Sequence, residues 1–285
     1  MNLAYESIDE CIRYERKLYN PNICNVNFHL HEEFEIYFLI SGDVNYFVEK
    51  NMYPIKYGDL IITNNQEIHR PSFQNDNVYE RITLQFAPHI VRKFNSPSLD
   101  LLSCFLNKPK GQQNKITLQP SQIKEFLRLF NQIENLKPHA GYKILKLNYL
   151  IEVLVLINII FKDVNRSENL SSMPELLTSL LDYIDMNLEK DLTLESLSTK
   201  FYVDRFYMGR VFKKYIGNNI HEYILFKRIS KAKQILSEGY SVTDTCEQCG
   251  FNDYSNFLKM FKRTVGVSPG KYKGNLMSSS NFDID

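Results

Sequence analysis

The stretch His29-Leu-His31-Glu-Glu-Phe-Glu35 places two imidazoles and a carboxylate at even spacing, and a further imidazole, His69, follows downstream. On an extended strand, residues two and four apart share a face, so His29, His31 and Glu35 would point the same way. Three imidazoles and one carboxylate form a donor set that suits iron, manganese or zinc. Histidines packed and hydrogen-bonded inside a β-structure give the same spacing with no ion, so both readings stand at this point. Cys246 and Cys249 make a second candidate constellation, a C-x-x-C. It has no second ligand pair and no βαβ context, and it falls on the inward side of a helix, so two buried apolar cysteines are expected.

The surrounding chain limits what these residues can do. It has 285 residues, 44% of them hydrophobic, enough for two domains with cores of their own. The net charge of +1 means that any basic footprint must be local. No apolar run reaches the roughly 18 to 20 residues of a membrane span; the longest, Tyr149 to Phe161, is shorter and carries Glu152. The N-terminus lacks the apolar core of a signal peptide. The five cysteines form no regular framework. The expected setting is the reducing cytoplasm, with no membrane partner.

Between residues 24 and 86 the chain reads as short strands, "NVNFHL", "EFEIYFLI", "VNYFVE", "DLIIT" and "YERITLQF", separated by turns such as Ser41-Gly42-Asp43 and Tyr57-Gly58-Asp59. That pattern predicts an antiparallel barrel or sandwich, a jelly roll among the options. From Ser121 the period becomes helical: Ile123, Phe126, Leu127, Phe130 and Ile133 form one stripe, and a longer helix follows over about 141–161. The polar stretch Lys162 to Pro174 reads as a linker, and everything after it reads as helix up to the polar tail. The predicted class is α+β in two domains. The first is 1–165, with a barrel at about 20–90 and helices at about 121–161. A linker at 166–173 leads to an all-α domain at 174–275, and 276–285 is expected to be disordered.

Within the α domain the chain repeats itself. Val203 to Tyr223 and Asn252 to Tyr272 align without a gap, matching Asp204 with Asp253, Phe212 with Phe261, Lys213 with Lys262, Gly217 with Gly266 and Tyr223 with Tyr272. Arg210 faces Lys259, and Lys214 faces Arg263. Each copy has an Asp at an N-cap position and a Gly past the helix end, and each follows a shorter helix and a tight turn. These are two helix-turn-helix units, joined by a long helix from about Ile220 to Leu236. Two such helices on one scaffold can enter successive major grooves if they lie about 34 Å apart. Between Asp204 and Lys273 there are thirteen Lys or Arg against six acids, the local excess that phosphate neutralisation requires.

On these residues the chain resembles the AraC/XylS-type bacterial transcription regulators. "GFNDYSNFLKMFKRTVGVSPGKY" follows that family's signature, and the first copy, with "RVFKKYIG", matches the other half over about 174–273. "HLHEEFEIYFLISGDVNYFVE" with "YPIKYGDLIITNNQEIH" is similar to the cupin-type sensor often found ahead of it. The resemblance implies a cupin-like barrel with a helical hairpin, a small-molecule effector such as a sugar or related metabolite, a homodimer, and contact with RNA polymerase in activation. It assigns base contacts to Arg205, Phe206, Gly209 and Arg210 in the first helix and to Tyr254, Ser255 and Lys259 in the second. Lys213, Lys214, Lys262 and Arg263 take phosphates. Lys231 and Lys233 are weighed as further phosphate contacts against a plain solvated face.

Within that frame, His29, His31, Glu35, Tyr37 and His69 are expected to line the effector pocket. Asn64-Asn65-Gln66 stands where metal cupins have a Pro-x-Gly turn, so no metal or cofactor is assigned and no catalytic residue is named. The competing readings are a metal-dependent cupin enzyme fused to a DNA-binding module, using His29, His31, Glu35 and His69, and a regulator whose barrel only mediates assembly. Gly209 and Tyr202 depart from the family pattern. Gly209 offers no side chain to a base, and Tyr202 occupies a turn that commonly carries Gly.

Overall fold

The computed structural model describes residues 8–20, 28, 30–73, 77–163 and 170–280. The chain forms two compact units, one of residues 1–25, 32–65 and 73–171, the other of 26–31, 66–72 and 172–285. His29 lies outside the described residues.

The strands are β1 (Ile12–Tyr19), β2 (Phe34–Ser41), β3 (Val44–Val48), β4 (Asn51–Ile55), β5 (Asp59–Thr63), β6 (His69–Phe73), β7 (Tyr79–Phe86) and β8 (Lys115–Thr117). In the first unit a five-stranded sheet runs β1-β7-β2-β5-β8, and β3 pairs with β4 as an antiparallel hairpin of a second sheet. Two helices follow, α1 (Pro120–Glu134) and α2 (Tyr142–Asp163). β2 is buried on both faces, which explains its nearly unbroken run of aromatic and β-branched residues. Phe34, Ile36 and Phe38 pack with Phe126 and Phe130 of α1 and Val153, Leu154 and Ile157 of α2. The opposite face sets Tyr37 and Leu39 among Tyr46, Tyr53 and Tyr79.

The sequence places β2, β3, β5 and β7 within a residue or two of their observed bounds. It misses β4, β6, β8 and β1, whose partner is β7 along its full length. Only Ile12 of that strand is buried. Arg13, Glu15, Arg16 and Lys17 break the alternation, so there is no clear period to detect, and the strand is held by its ladder to β7, with Ile12 and Tyr14 against the core and Arg16 paired with Glu80 at 2.7 Å. The strand expected at residues 25–30 does not form at the described positions. Phe28 and Leu30 are buried loop residues, because Phe28 faces the rings of Tyr223 and Phe226 at 5.7 and 5.8 Å rather than a sheet.

α2 also corrects the expectation about apolar length. From Tyr142 to Lys162 it is long and apolar enough, by length and composition alone, to cross a membrane. Tolerating a few charges extends the apolar stretch beyond the Tyr149 to Phe161 run. Its buried residues Leu150, Val153, Leu154 and Ile157 belong to the core of the first unit, while Ile144 and Ile159 are exposed.

The second unit is helical: α3 (Glu175–Met186), α4 (Leu194–Phe201), α5 (Arg205–Ile216), α6 (Ile220–Ser237), α7 (Val242–Gln248), α8 (Tyr254–Val265) and α9 (Pro269–Ser280). α6 carries eleven buried residues over five turns, including Ile220, Tyr223, Ile224, Ile229, Ala232 and Leu236. Such all-round burial makes it the spine against which the other helices pack.

Candidate nucleic-acid interface

α5 and α8 begin and end alike. The Asp204 carboxylate accepts from the backbone N–H of Phe206 and Tyr207, and Asp253 accepts from Ser255 and Asn256. Both helices stop at a left-handed glycine, Gly217 with φ 80° and Gly266 with φ 87°. An aromatic pair is repeated with the same geometry. Phe212 meets Tyr223 with ring centroids 5.5 Å apart, and Phe261 meets Tyr272 at 5.5 Å. Met208 and Phe212 in one helix, and Phe257 and Phe261 in the other, are buried. Val211, beside them on α5, is half-buried.

The opposite faces are open. Arg205, Phe206, Arg210, Lys213 and Lys214 of α5 are exposed, as are Tyr254, Ser255, Lys259, Lys262 and Arg263 of α8. Arg210 and Lys259, equivalent in the repeat, therefore both present a long cationic side chain to solvent. Gly209 is half-buried, and a Cβ built there would meet nothing within 4 Å. Arg205 is already engaged, its guanidinium 2.6 Å from Glu195 and over the Phe206 ring. The pair is exposed and contributes little, so a nucleic acid would meet small resistance in breaking it.

The two turns close differently. Before α5 the left-handed residue is Tyr202, two positions ahead of the Asp204 cap; before α8 it is Gly250, three positions ahead of Asp253. Tyr202 accepts the strain, with φ 54° and its ring 95% exposed. Left-handed backbone costs an L-residue about 1 to 2 kcal/mol, while glycine adds about 0.5 to 1 kcal/mol of unfolded-state entropy. Tyr202→Gly should therefore raise stability by up to about 1 kcal/mol, measured by chemical denaturation; a loss of stability would mean that the exposed ring contributes a contact of its own.

Residues 25–149 match the family described as AraC-like ligand binding domain, and residues 197–275 the one described as Helix-turn-helix domain. The chain carries an AraC-like ligand-binding domain followed by a helix-turn-helix domain. Among curated relatives, the probable transcriptional regulator LumQ of Photobacterium leiognathi is 28% identical over 48% of this chain and 55% of its own length. Regulatory protein PocR of Salmonella typhimurium is 30% identical over 35% of this chain and 34% of its own. The chain thus spans between about a third and just over half the length of these relatives. Of solved structures, ToxT from Vibrio cholerae O395 is similar with 13% identity and a TM-score of 0.37, covering 94% of this chain and 98% of its own.

In this helix-turn-helix domain, the cations counted along α6 are not part of the open faces. Lys227 is buried with its ammonium 3.0 Å from Asp185. Arg228 donates to the carbonyls of Leu188 and Lys190 at 2.9 and 2.8 Å. Lys231 pairs with Glu189 at 3.5 Å. Lys233, weighed above as a phosphate contact, is 1% exposed and donates to the His31 carbonyl at 3.4 Å; burial removes it from that role. A linear count of charge cannot separate cations that hold the fold from those that face outward.

Cys246 and Cys249 are free and buried, as is Cys104. Burial pushes the Cys249 thiol up to about 12 and raises Cys104 as well. Since the thiolate is the reactive form, native protein at pH 8 should resist iodoacetamide at both positions and react once denatured. Mass spectrometry of the alkylated peptides reads this directly, and rapid native labelling of Cys249 would reopen a redox or zinc role.

The expected pocket residues fall in both units. Glu35 and Tyr37 are buried on the inward face of β2. Tyr46 donates its hydroxyl to Glu35 Oε1 at 3.1 Å, and the Gln85 amide donates to Oε2 at 2.7 Å. Burial raises the Tyr37 and Tyr46 phenols well above their ordinary range. The Tyr37 and Thr63 hydroxyls are buried with no hydrogen-bond partner among the described residues. Thr63 lies opposite Glu35 in the β2–β5 register, a pairing that only strand register reveals. In the second unit, His69 is buried, its Nδ1 is 2.9 Å from the Glu67 carbonyl, and its ring lies 5.2 Å from that of His31.

Proposed function

We propose that the chain is a sequence-specific DNA-binding regulator of transcription whose occupancy of DNA is set by a small molecule held in the first unit. One observation carries the DNA half: two identically capped helices expose Arg210 and Lys259 at equivalent positions, each opposite a buried Phe. A long cation at that place reaches the O6 and N7 acceptors of guanine. Arg205, Phe206, Gly209, Tyr254 and Ser255 complete the base-facing surface, while Lys213, Lys214, Lys262 and Arg263 hold phosphates and set register. The names of LumQ and PocR support this reading.

For the effector, Tyr37 and Thr63 offer unsatisfied hydroxyls beside the Glu35 carboxylate, which suits a ligand bearing hydroxyl groups, a sugar or related metabolite. Both Glu35 oxygens accept hydrogen bonds, which fix the carboxylate in the pocket wall. Ile144 and Ile159, exposed on α2, supply an apolar face for a homodimer. The boundaries 1–165, 166–173 and 174–275 would then separate sensing from reading, in the cytoplasm, with activation through RNA polymerase. The ligand must favour one state of the protein over another, since equal binding shifts nothing.

Footprinting of the full chain on DNA upstream of its neighbouring genes tests the proposal. Protection should appear as paired patches about one helical turn apart for each protomer. Uniform binding to every sequence, or none at low salt, would overturn it.

A further inference from the structure

Within the second unit, Phe28, Leu30 and His31 meet α6 and α8 around a pocket of roughly 450 Å3, inside the size range of small-molecule sites. Leu225, Phe226 and Met260 add to its apolar wall, while Asn218, Glu222, Arg263 and Thr264 bring polar groups. The two opposite charges do not neutralise each other. Asn218 donates its amide to Glu222 Oε2 at 3.0 Å, and that amide is held in turn by Arg70, which donates to Asn218 Oδ1. Arg70 is itself buried, with Phe28 against its guanidinium. The chain of bonds orients Glu222 and leaves its Oε1 without a partner among the described residues; the Arg263 guanidinium likewise has none.

A carboxylate and a guanidinium that share an apolar-walled pocket yet form no ion pair are complementary to a ligand carrying both charges. We propose that this pocket binds an α-amino acid with an apolar or aromatic side chain. Its carboxylate would meet Arg263, its ammonium would meet Glu222 Oε1, and its side chain would lie against Phe28, Leu30, Phe226 and Met260. A ligand with only one charge would engage one of the two protein groups and leave the other without its partner, which lowers its affinity relative to a ligand carrying both.

The site has a consequence that rests on the DNA-binding reading above, in which Arg263 holds a phosphate. A ligand carboxylate on Arg263 competes with that phosphate, so ligand and DNA oppose each other. By linkage the opposition is reciprocal, and the salt dependence of DNA binding should fall by about one phosphate contact.

Titration calorimetry on the full chain without DNA tests the site, with L-phenylalanine and L-leucine as probes and phenylacetate and phenethylamine as single-charge analogues. L-phenylalanine or L-leucine should bind saturably, and each analogue at least tenfold more weakly. Glu222→Gln should erase the advantage of L-phenylalanine over phenylacetate, and Arg263→Gln its advantage over phenethylamine. Absence of saturable binding by both amino acids, or equal binding of the analogues by the native chain, overturns the site without reference to any variant. Footprinting with and without L-phenylalanine tests the coupling separately. Ligand binding with unchanged DNA affinity would keep the site and remove Arg263 from the phosphate contacts, whereas failure of the chain to bind DNA at all would bear on the regulator reading alone.

Discussion

Replacing Gly250 with alanine is expected to destabilise the helical unit by about 3 kcal/mol or more, enough to abolish specific DNA binding at ordinary temperatures. Two effects add. The residue has φ 76°, a conformation that costs an L-residue about 1 to 2 kcal/mol. An added Cβ would also lie 2.3 Å from the Leu188 carbonyl oxygen and 2.8 Å from Glu189 Cα. Those are backbone atoms, and Arg228 holds the same Leu188 carbonyl at 2.9 Å, so they cannot give way as a flexible side chain would. Forcing atoms into a packed site costs about 1 to 3 kcal/mol more. Gly266 is the internal control: φ is 87°, but nothing lies within 4 Å of its added Cβ, so Gly266→Ala should lose only about 1 to 2 kcal/mol. Urea denaturation of the two variants side by side decides the matter, and equal losses would mean that the approach of Leu188 is not what demands glycine.

The second large effect concerns reading. Arg210→Ala should weaken binding to the preferred site by about ten- to a hundredfold, the 1 to 3 kcal/mol of one bidentate base contact, and relax preference at a single base pair. Lys262→Ala should weaken every sequence to a similar degree and lower the salt slope by about one. Neither should alter folding, because both side chains are exposed and neither is a cap. Binding isotherms at several salt concentrations on a preferred and a scrambled duplex separate the two patterns. Loss of affinity without loss of preference in Arg210→Ala would move that residue to the phosphate contacts, and indifference to both substitutions would remove the proposed reading faces altogether.

Much of the regulator reading is local physics, and local physics is written in residue order. An Asp cap, a 3.6-residue apolar stripe and a terminal glycine recur with a fixed offset, so Asp204 and Asp253, Phe212 and Phe261, and Gly217 and Gly266 reveal two equivalent helices before any coordinates exist. β2 and β5 are legible for a similar reason: burial on both faces demands continuous apolar chain. What only the tertiary structure decides are partnerships between residues distant in sequence. β1 is a strand because β7 receives it, and no property of its own charged residues announces that. Lys233 and Arg210 are cations of one charged module, yet one is sealed against the His31 carbonyl while the other faces solvent. The left-handed Tyr202, the close approach of Leu188 to Gly250, and the unpaired charges of Glu222 and Arg263 belong to the same class. Each depends on where the chain returns in space, and periodicity along the sequence carries no record of that.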